Sequence, residues 1–224
     1  MKMVKLVIFD LDGTLVNSID DLADAANAAL IENGFPTRST DEIRQFVGNG
    51  AAELLRRALP EGEYNAKTAA KMRSSFDLAY RKGFAVKTKP YKEIPELLDE
   101  LKHRGVLLAV ASNKPDEFTK AIVSHFFGDI FDAVQGQTDT IPKKPDPTVA
   151  LEIMRKLNIP KEFTAFAGDS DVDIHTAANS GVVSIGCSWG FRSVETLREA
   201  GADYIINSPS EMAELNIFPV SGVK

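Results

Sequence analysis

A chain of 224 residues, 44% of them hydrophobic, can bury one full core or a core with a smaller domain attached. Its net charge of −6 argues against a general nucleic-acid binder, and no apolar run approaches the roughly 20 residues that span a bilayer. A single cysteine, Cys187, excludes an intramolecular disulfide and fits a reducing cytoplasm; the opening MKMVKLVIFD runs straight into acids, unlike a signal peptide.

The first predicted strand covers residues 4–9 and ends on Asp10 and Asp12, followed by Gly13 and Thr14. Residues 16–88 contain no convincing strand. DDLADAANAALIENG, DEIRQF, GAAELLRRAL and AKTAAKMRSSFDLAYRKGF all have helical character. Roughly 70 helical residues exceed an ordinary α/β crossover, so this stretch is predicted to be an inserted helical domain. The remaining residues, 1–15 and 89–224, form the core. Strands are predicted at 106–111, 133–135, 164–167, 182–185 and 204–206. Between them lie YKEIPELLDELKHRG, KPDEFTKAIVSHFFG, DPTVALEIMRKLNIP and DVDIHTAANSG, with Pro115 suited to a first helical turn and Gly105 and Gly128 to helix ends. Mostly unalternating apolar strands separated by helices predict an α/β fold, a Rossmann-like three-layer core around a parallel sheet.

Ligands of open parallel sheets bind beyond the carboxyl ends of the strands. The first strand ends on Asp10 and Asp12, the second on Ser112 and Asn113, and the fourth on Asp169 and Ser170 with Asp173 one helical turn on. Lys143 and Lys144 precede a proline-initiated helix. Alone, each station has an ordinary explanation: solvated acids, a turn, a surface lysine, helix N-terminal charges. Together they gather four acids, two hydroxyls and a lysine at one edge. Clustered carboxylates repel, and a hard cation such as Mg²⁺ relieves them. Ser112, the Asn113 N–H, Lys144 and helix N-termini near Pro115 and Ser170 suit a phosphate. In such a site one aspartate can attack phosphorus while a second, two residues on, serves as acid and then base. Gly13 permits the tight turn between them, and Gly13 and Thr14 can offer backbone N–H donors.

DLDGTL, ASN, KKPDP and GDSDVD resemble, in order, the four motifs of the haloacid dehalogenase superfamily of phosphatases, and VGNGAAELLRRAL and KPYKEIPELLDELK resemble its phosphoglycolate phosphatases. The resemblance implies a Rossmann-like core with residues 16–88 as its helical cap. It implies Asp10 as nucleophile and Asp12 as general acid/base. Mg²⁺ would be held by Asp10, the Asp12 backbone carbonyl and Asp169, with Asp173 and Ser170 behind it. Ser112 and Asn113 would bind the phosphate and Lys144 would neutralise it. Two positions depart from the usual pattern: Asn17 replaces a frequent Asp, and GQTDTIPKKPDP replaces a Gly-Gly-Asp sequence before the lysine.

The expected reaction is hydrolysis of a small phosphate monoester, 2-phosphoglycolate, by a cytoplasmic monomer or homodimer with no nucleic-acid or membrane partner. A pyrophosphatase or a broad sugar and nucleotide phosphatase is the alternative on the same scaffold. Asp12 argues against a dehalogenase. A sugar-phosphate mutase loses support because His103, His125 and His175 all fall in or beside core helices. A signalling receiver would be shorter and lack the insert, and a non-catalytic module would not need both acids. Specificity is expected in the cap, where Gly48-Asn49-Gly50 and the helix from Ala51 could receive the substrate's distal end. Arg192 is a further candidate for substrate or cap contact, and Trp189 and Phe191 are expected to be core or interface aromatics.

Overall fold

The computed structural model describes residues 3–219. The chain divides into two compact units. One is built from the chain up to Val16 and from Pro90 onward, and the other from Asn17–Lys89.

The first unit contains β1 (Leu6–Phe9), whose four residues are all buried. Burial on both faces explains its uninterrupted apolar sequence. Its neighbours are β4 (Leu107–Pro115) and β6 (Thr164–Gly168), outside which lie β5 (Ala133–Gln137) on one side and β7 (Val183–Cys187) and β8 (Tyr204–Ile206) on the other. Among the described residues this sheet has the order β5-β4-β1-β6-β7-β8, with every pairing parallel. The chain steps outward from β4 to β5, then crosses to β6, so the direction of winding reverses around β1. That reversal opens a crevice beyond the carboxyl ends of β1, β4 and β6.

Helices α5 (Ile94–His103), α6 (Asp116–Phe127), α7 (Thr148–Leu157), α8 (Asp171–Ser180) and α9 (Val194–Glu199) lead into or join these strands, and α10 (Pro209–Glu214) follows β8. On one face Leu6 and Ile8 pack with Ala109, Phe166, Ile153 and Ala177, which brings α7 and α8 onto the sheet. α8 stops where Gly181 turns left-handed, at φ 69°.

β4 runs four residues further than the expected 106–111. The strand register with β5 shifts between Ala111 and Pro115, and Pro115 pairs with Gln137. Pro115 therefore closes the strand with ψ 138°, and α6 starts one residue later instead of containing the proline in its first turn. The consequence is that Ser112, Asn113 and Lys114 are strand residues.

The second unit is helical: α1 (Ile19–Glu32), α2 (Thr40–Phe46), α3 (Ala51–Ala58) and α4 (Ala66–Gly83). α1 packs along α4, and α4 buries Met72, Phe76 and Tyr80 at a helical spacing. Ser39 and Glu42 form a reciprocal capping box at the start of α2, and Asn65 caps α4 through the Thr68 N–H. The buried Asp21 carboxylate accepts from the Lys87 and Thr88 N–H groups and from the Thr88 hydroxyl, tying α1 to the outgoing chain. The two connecting segments, β2 (Val16–Asn17) and β3 (Lys89–Pro90), pair with each other. Among the described residues no helix is long and apolar enough to cross a membrane.

Candidate active site

β1 holds its last residues rigidly, and the Asp10 N–H donates to the Ala167 carbonyl of β6 at 2.9 Å. The chain then turns sharply: the Gly13 N–H donates to the Val16 carbonyl at 2.9 Å, and the Leu15 N–H to Leu11 at 3.0 Å. Gly13 sits at φ 97°, and a Cβ there would collide with the Asp169 carboxylate. Only glycine meets both demands.

Asp10, Asp169 and Asp173 converge, each offering an oxygen within 4.8 Å of the others. Lys144 enters between two of them, its Nζ 2.8 Å from Asp10 Oδ1 and 2.7 Å from Asp173 Oδ1. Of the two adjacent lysines, Lys143 is exposed and Lys144 is buried. Asn113 selects it. The Asn113 side-chain carbonyl accepts from the Lys144 N–H at 2.8 Å and its amide donates to the Lys144 carbonyl at 3.1 Å. The Asn113 side chain thus carries the lysine's backbone, a task different from the phosphate contact expected of its N–H.

Asp169 is held from both sides. Thr14 Oγ1 donates to its Oδ1 at 2.9 Å and the Phe191 N–H to its Oδ2 at 2.8 Å. The Trp189 indole N–H donates to the Thr14 carbonyl at 3.0 Å, so the loop after β7 braces Thr14 as well. Gly190 lets this loop close in, because a Cβ there would also strike Asp169. Asp173 Oδ2 accepts from Ser170 Oγ at 2.6 Å and from the Ser170 N–H at 3.1 Å, a capping box at the start of α8. Asp12 stands outside the three-acid cluster, its two oxygens 2.9 and 2.8 Å from Lys114 Nζ. Ser112, Asn113 and Thr14 are buried alongside.

The electrostatics follow from this crowding. Burial, with help from Asp173 and Asp12 and against the pull of Lys144, pushes the Asp10 carboxyl up to about 7. Burial, then Asp173 and Asp10, push Asp169 to about 8, although the Phe191 N–H and Thr14 hydroxyl favour its charged form. Burial works against the Lys144 ammonium, but Asp10 and Asp173 outweigh it and raise its pKa. Burial also raises the Cys187 thiol well above its ordinary range, with Asp169, Asp173 and Asp10 adding to the shift. Three hard oxygen donors with a shared preference for a cation are a fitting set for a divalent metal ion. Next to them a buried lysine and hydroxyls suit an anion.

Of the core residues expected from the sequence, Asp10, Asp12, Gly13 and Thr14 follow β1, Ser112 and Asn113 lie in the last part of β4, Lys144 stands between β5 and α7, and Asp169, Ser170 and Asp173 follow β6 at the start of α8. Asn49 belongs to the helical unit, between Gly48 at φ 117° and Gly50 at φ 82°, just before α3. His103, His125 and His175 are all exposed on core helices. Sequence reasoning missed Lys114, the Phe191 N–H and the Trp189 indole. The only local signal for Lys114 was its place immediately after Ser112-Asn113. For the other two it was the small residue in SWGFR.

Comparison with known proteins agrees with this arrangement. The family model of haloacid dehalogenase-like hydrolases matches residues 7–187. The chain is 34% identical over 226 residues to a phosphoglycolate phosphatase of Vibrio cholerae, spanning 96% of this chain and 98% of that one. It is 38% identical over 203 residues to a phosphoglycolate phosphatase of Psychrobacter arcticus, spanning 87% and 88%. The crystal structure of a predicted phosphoglycolate phosphatase from Haemophilus somnus superposes with a TM-score of 0.89 at 29% identity, covering 96% of this chain and 98% of that one. The parallel sheet wound about β1, the acids at its carboxyl edge and the matched span from β1 to the end of β7 place this chain in the haloacid dehalogenase-like hydrolase family.

Proposed function

We propose that the protein is a Mg²⁺-dependent phosphatase that hydrolyses a small organic phosphate monoester, 2-phosphoglycolate, through an aspartyl-phosphate on Asp10. The observation that carries this reading is the division of labour at the carboxyl edge. Asp10 sits at the end of a rigid strand, against Lys144 and two further acids, while Asp12 is kept on a cation of its own. The names of the relatives in Vibrio cholerae and Psychrobacter arcticus support the choice of substrate.

Asp10, Asp169 and the Asp12 carbonyl would hold the ion, with Asp173 and Ser170 behind them. When bound, Mg²⁺ supplies positive charge for phosphate oxygens and lets Asp10 remain ionised. Lys144 steadies Asp10 and meets the phosphate, together with the Ser112 hydroxyl and the N–H groups of Asn113, Gly13 and Thr14. In the first half-reaction the Asp10 carboxylate takes the phosphoryl group, the ester P–O bond breaks, and the proton of a neutral Asp12 goes to the departing alkoxide. In the second, water attacks the acyl phosphate and returns a proton to Asp12. Inorganic phosphate leaves, and Asp10 is regenerated.

Residues 16–88 are assigned as the cap in this reading, and the Gly48-Asn49-Gly50 loop with the α3 N-terminus is its candidate for recognising the carboxylate of the substrate. The test is a phosphate-release panel run with and without Mg²⁺ on 2-phosphoglycolate, pyrophosphate and hexose phosphates. Preference for phosphoglycolate, loss on chelation and loss of all release in Asp10→Asn are expected. Full activity of Asp10→Asn overturns the mechanism, and preference for pyrophosphate moves the substrate assignment.

A further inference from the structure

Asp10 and Asp12 leave one short turn two residues apart, yet their carboxylates go to different cations. Asp10 joins Asp169 and Asp173 around Lys144, whereas Lys114 Nζ grips both oxygens of Asp12. Lys114 is not a surface residue that reaches inward. Its side chain is 5% exposed and that of Asp12 12%. Its backbone is fixed as well: the Lys114 N–H donates to Ser112 Oγ at 3.3 Å, and its carbonyl accepts from Thr119 Oγ1 of α6 at 3.1 Å. The extension of β4 beyond Ala111 places this lysine, so the root of the side chain is set by the sheet.

A carboxylate that passes a proton between a leaving group and water must stay off the metal-binding cluster and keep one orientation through both half-reactions. A carboxylate so close in sequence to Asp10 would otherwise be drawn to any cation held there. We infer that Lys114 is the positioning residue for Asp12, a clamp that keeps it apart from the Asp10–Asp169–Asp173 cluster and aims it at the reacting oxygen. This inference rests on Asp12 being the general acid/base. The clamp serves both forms of Asp12, because a neutral carboxyl still accepts from the ammonium through its carbonyl oxygen while its hydroxyl turns to the leaving group.

The test compares kcat/KM for the alkyl phosphate that the panel favours with kcat/KM for p-nitrophenyl phosphate, whose leaving group departs without a proton. Because kcat/KM reports the steps up to release of the alcohol, it isolates the acid role. Lys114→Met is expected to lose on the order of 100-fold on the alkyl ester and less than about 5-fold on the aryl ester. Lys114→Arg restores part of the alkyl-ester activity. Asp12→Asn shows the same selective loss, and adding Lys114→Met to it produces no further loss. The double variant also leaves no lone buried charge, so the comparison with Asp12→Asn stands even where Lys114→Met alone fails to fold. Equal losses on the two esters, or additive losses in the double variant, overturn the clamp alone. An Asp12→Asn enzyme with unaltered leaving-group dependence overturns the acid/base reading beneath it.

Discussion

Ion pairs in both units join a basic side chain to a carboxylate, arginine in the helical pairs and lysine in the sheet pairs compared below, and they differ in setting. In the helical unit Arg44–Asp41, Arg56–Glu53 and Arg73–Asp77 lie three or four residues apart along helices, and each side chain is at least 26% exposed. In the sheet unit Lys144 and Lys114 hold Asp10, Asp173 and Asp12, and no side chain is more than 13% exposed. The exposed pairs add local support to helices and little else, because water and ions screen them. The buried pairs surrender hydration that their attraction barely repays, so stability does not explain them. What they do explain is position: each fixes a carboxylate at the carboxyl edge of the sheet, where the proposed phosphoryl chemistry would use it.

The contrast can be broken experimentally, most forcefully at Lys144. Lys144→Met leaves Asp10 and Asp173 without their shared cation. It should destabilise the metal-free protein by about 3–5 kcal/mol near pH 8 in denaturant titrations and remove phosphatase activity. The penalty should shrink toward pH 5, where a proton neutralises the abandoned Asp10 carboxylate. A pH-independent loss would mean that packing, not charge, is what Lys144 provides.

Metal binding is the next test. With Asp10 near 7 and Asp169 near 8, the native metal-free protein holds protons that the unfolded chain releases near pH 4. Between pH 4 and about 8 the native state therefore binds more protons, and these two groups make stability fall as pH rises. A divalent ion must displace those protons, so its affinity rises with pH. Thermal unfolding with saturating Mg²⁺ should show a larger gain in Tm at pH 8 than at pH 6, and calorimetry at pH 6 should register proton release. The same gain at both pH values would contradict the raised carboxyl pKa values.

The smallest effects sharpen the comparison within the helical unit itself. Asp21 is its buried exception, accepting two backbone N–H groups and a hydroxyl. Asp21→Ala strands those donors and should cost about 2–3 kcal/mol. Arg73→Ala removes an exposed pair with Asp77 and should cost about 0.5 kcal/mol or less. Similar costs for the two would show that exposure is not what separates them.

Much of this architecture is legible in the residues. The run from Leu6 to Phe9 reads as a doubly buried strand, Gly181 marks where α8 ends, and Asp10 and Asp169 stand just past strand ends with Asp173 one helical turn on. The site is less legible where its bonds are remote. Lys114 finds Asp12 across 102 positions of chain, and Trp189 finds Thr14 across 175. Asn113 offered its backbone N–H to the eye, yet its side chain proves to be the support for Lys144.

The division has a physical basis. Strand and helix identity, turn chemistry and the supply of carboxylates depend on neighbours a few residues away, so the amino-acid order by itself determines them. Which of two adjacent lysines is buried, and which lysine each acid meets, depends on how far β4 extends and how closely the loop after β7 approaches Asp169. Packing across the sheet decides those distances: the motif resemblance already pointed to Lys144, but only the tertiary structure shows it against both Asp10 and Asp173 and assigns Lys114 to Asp12.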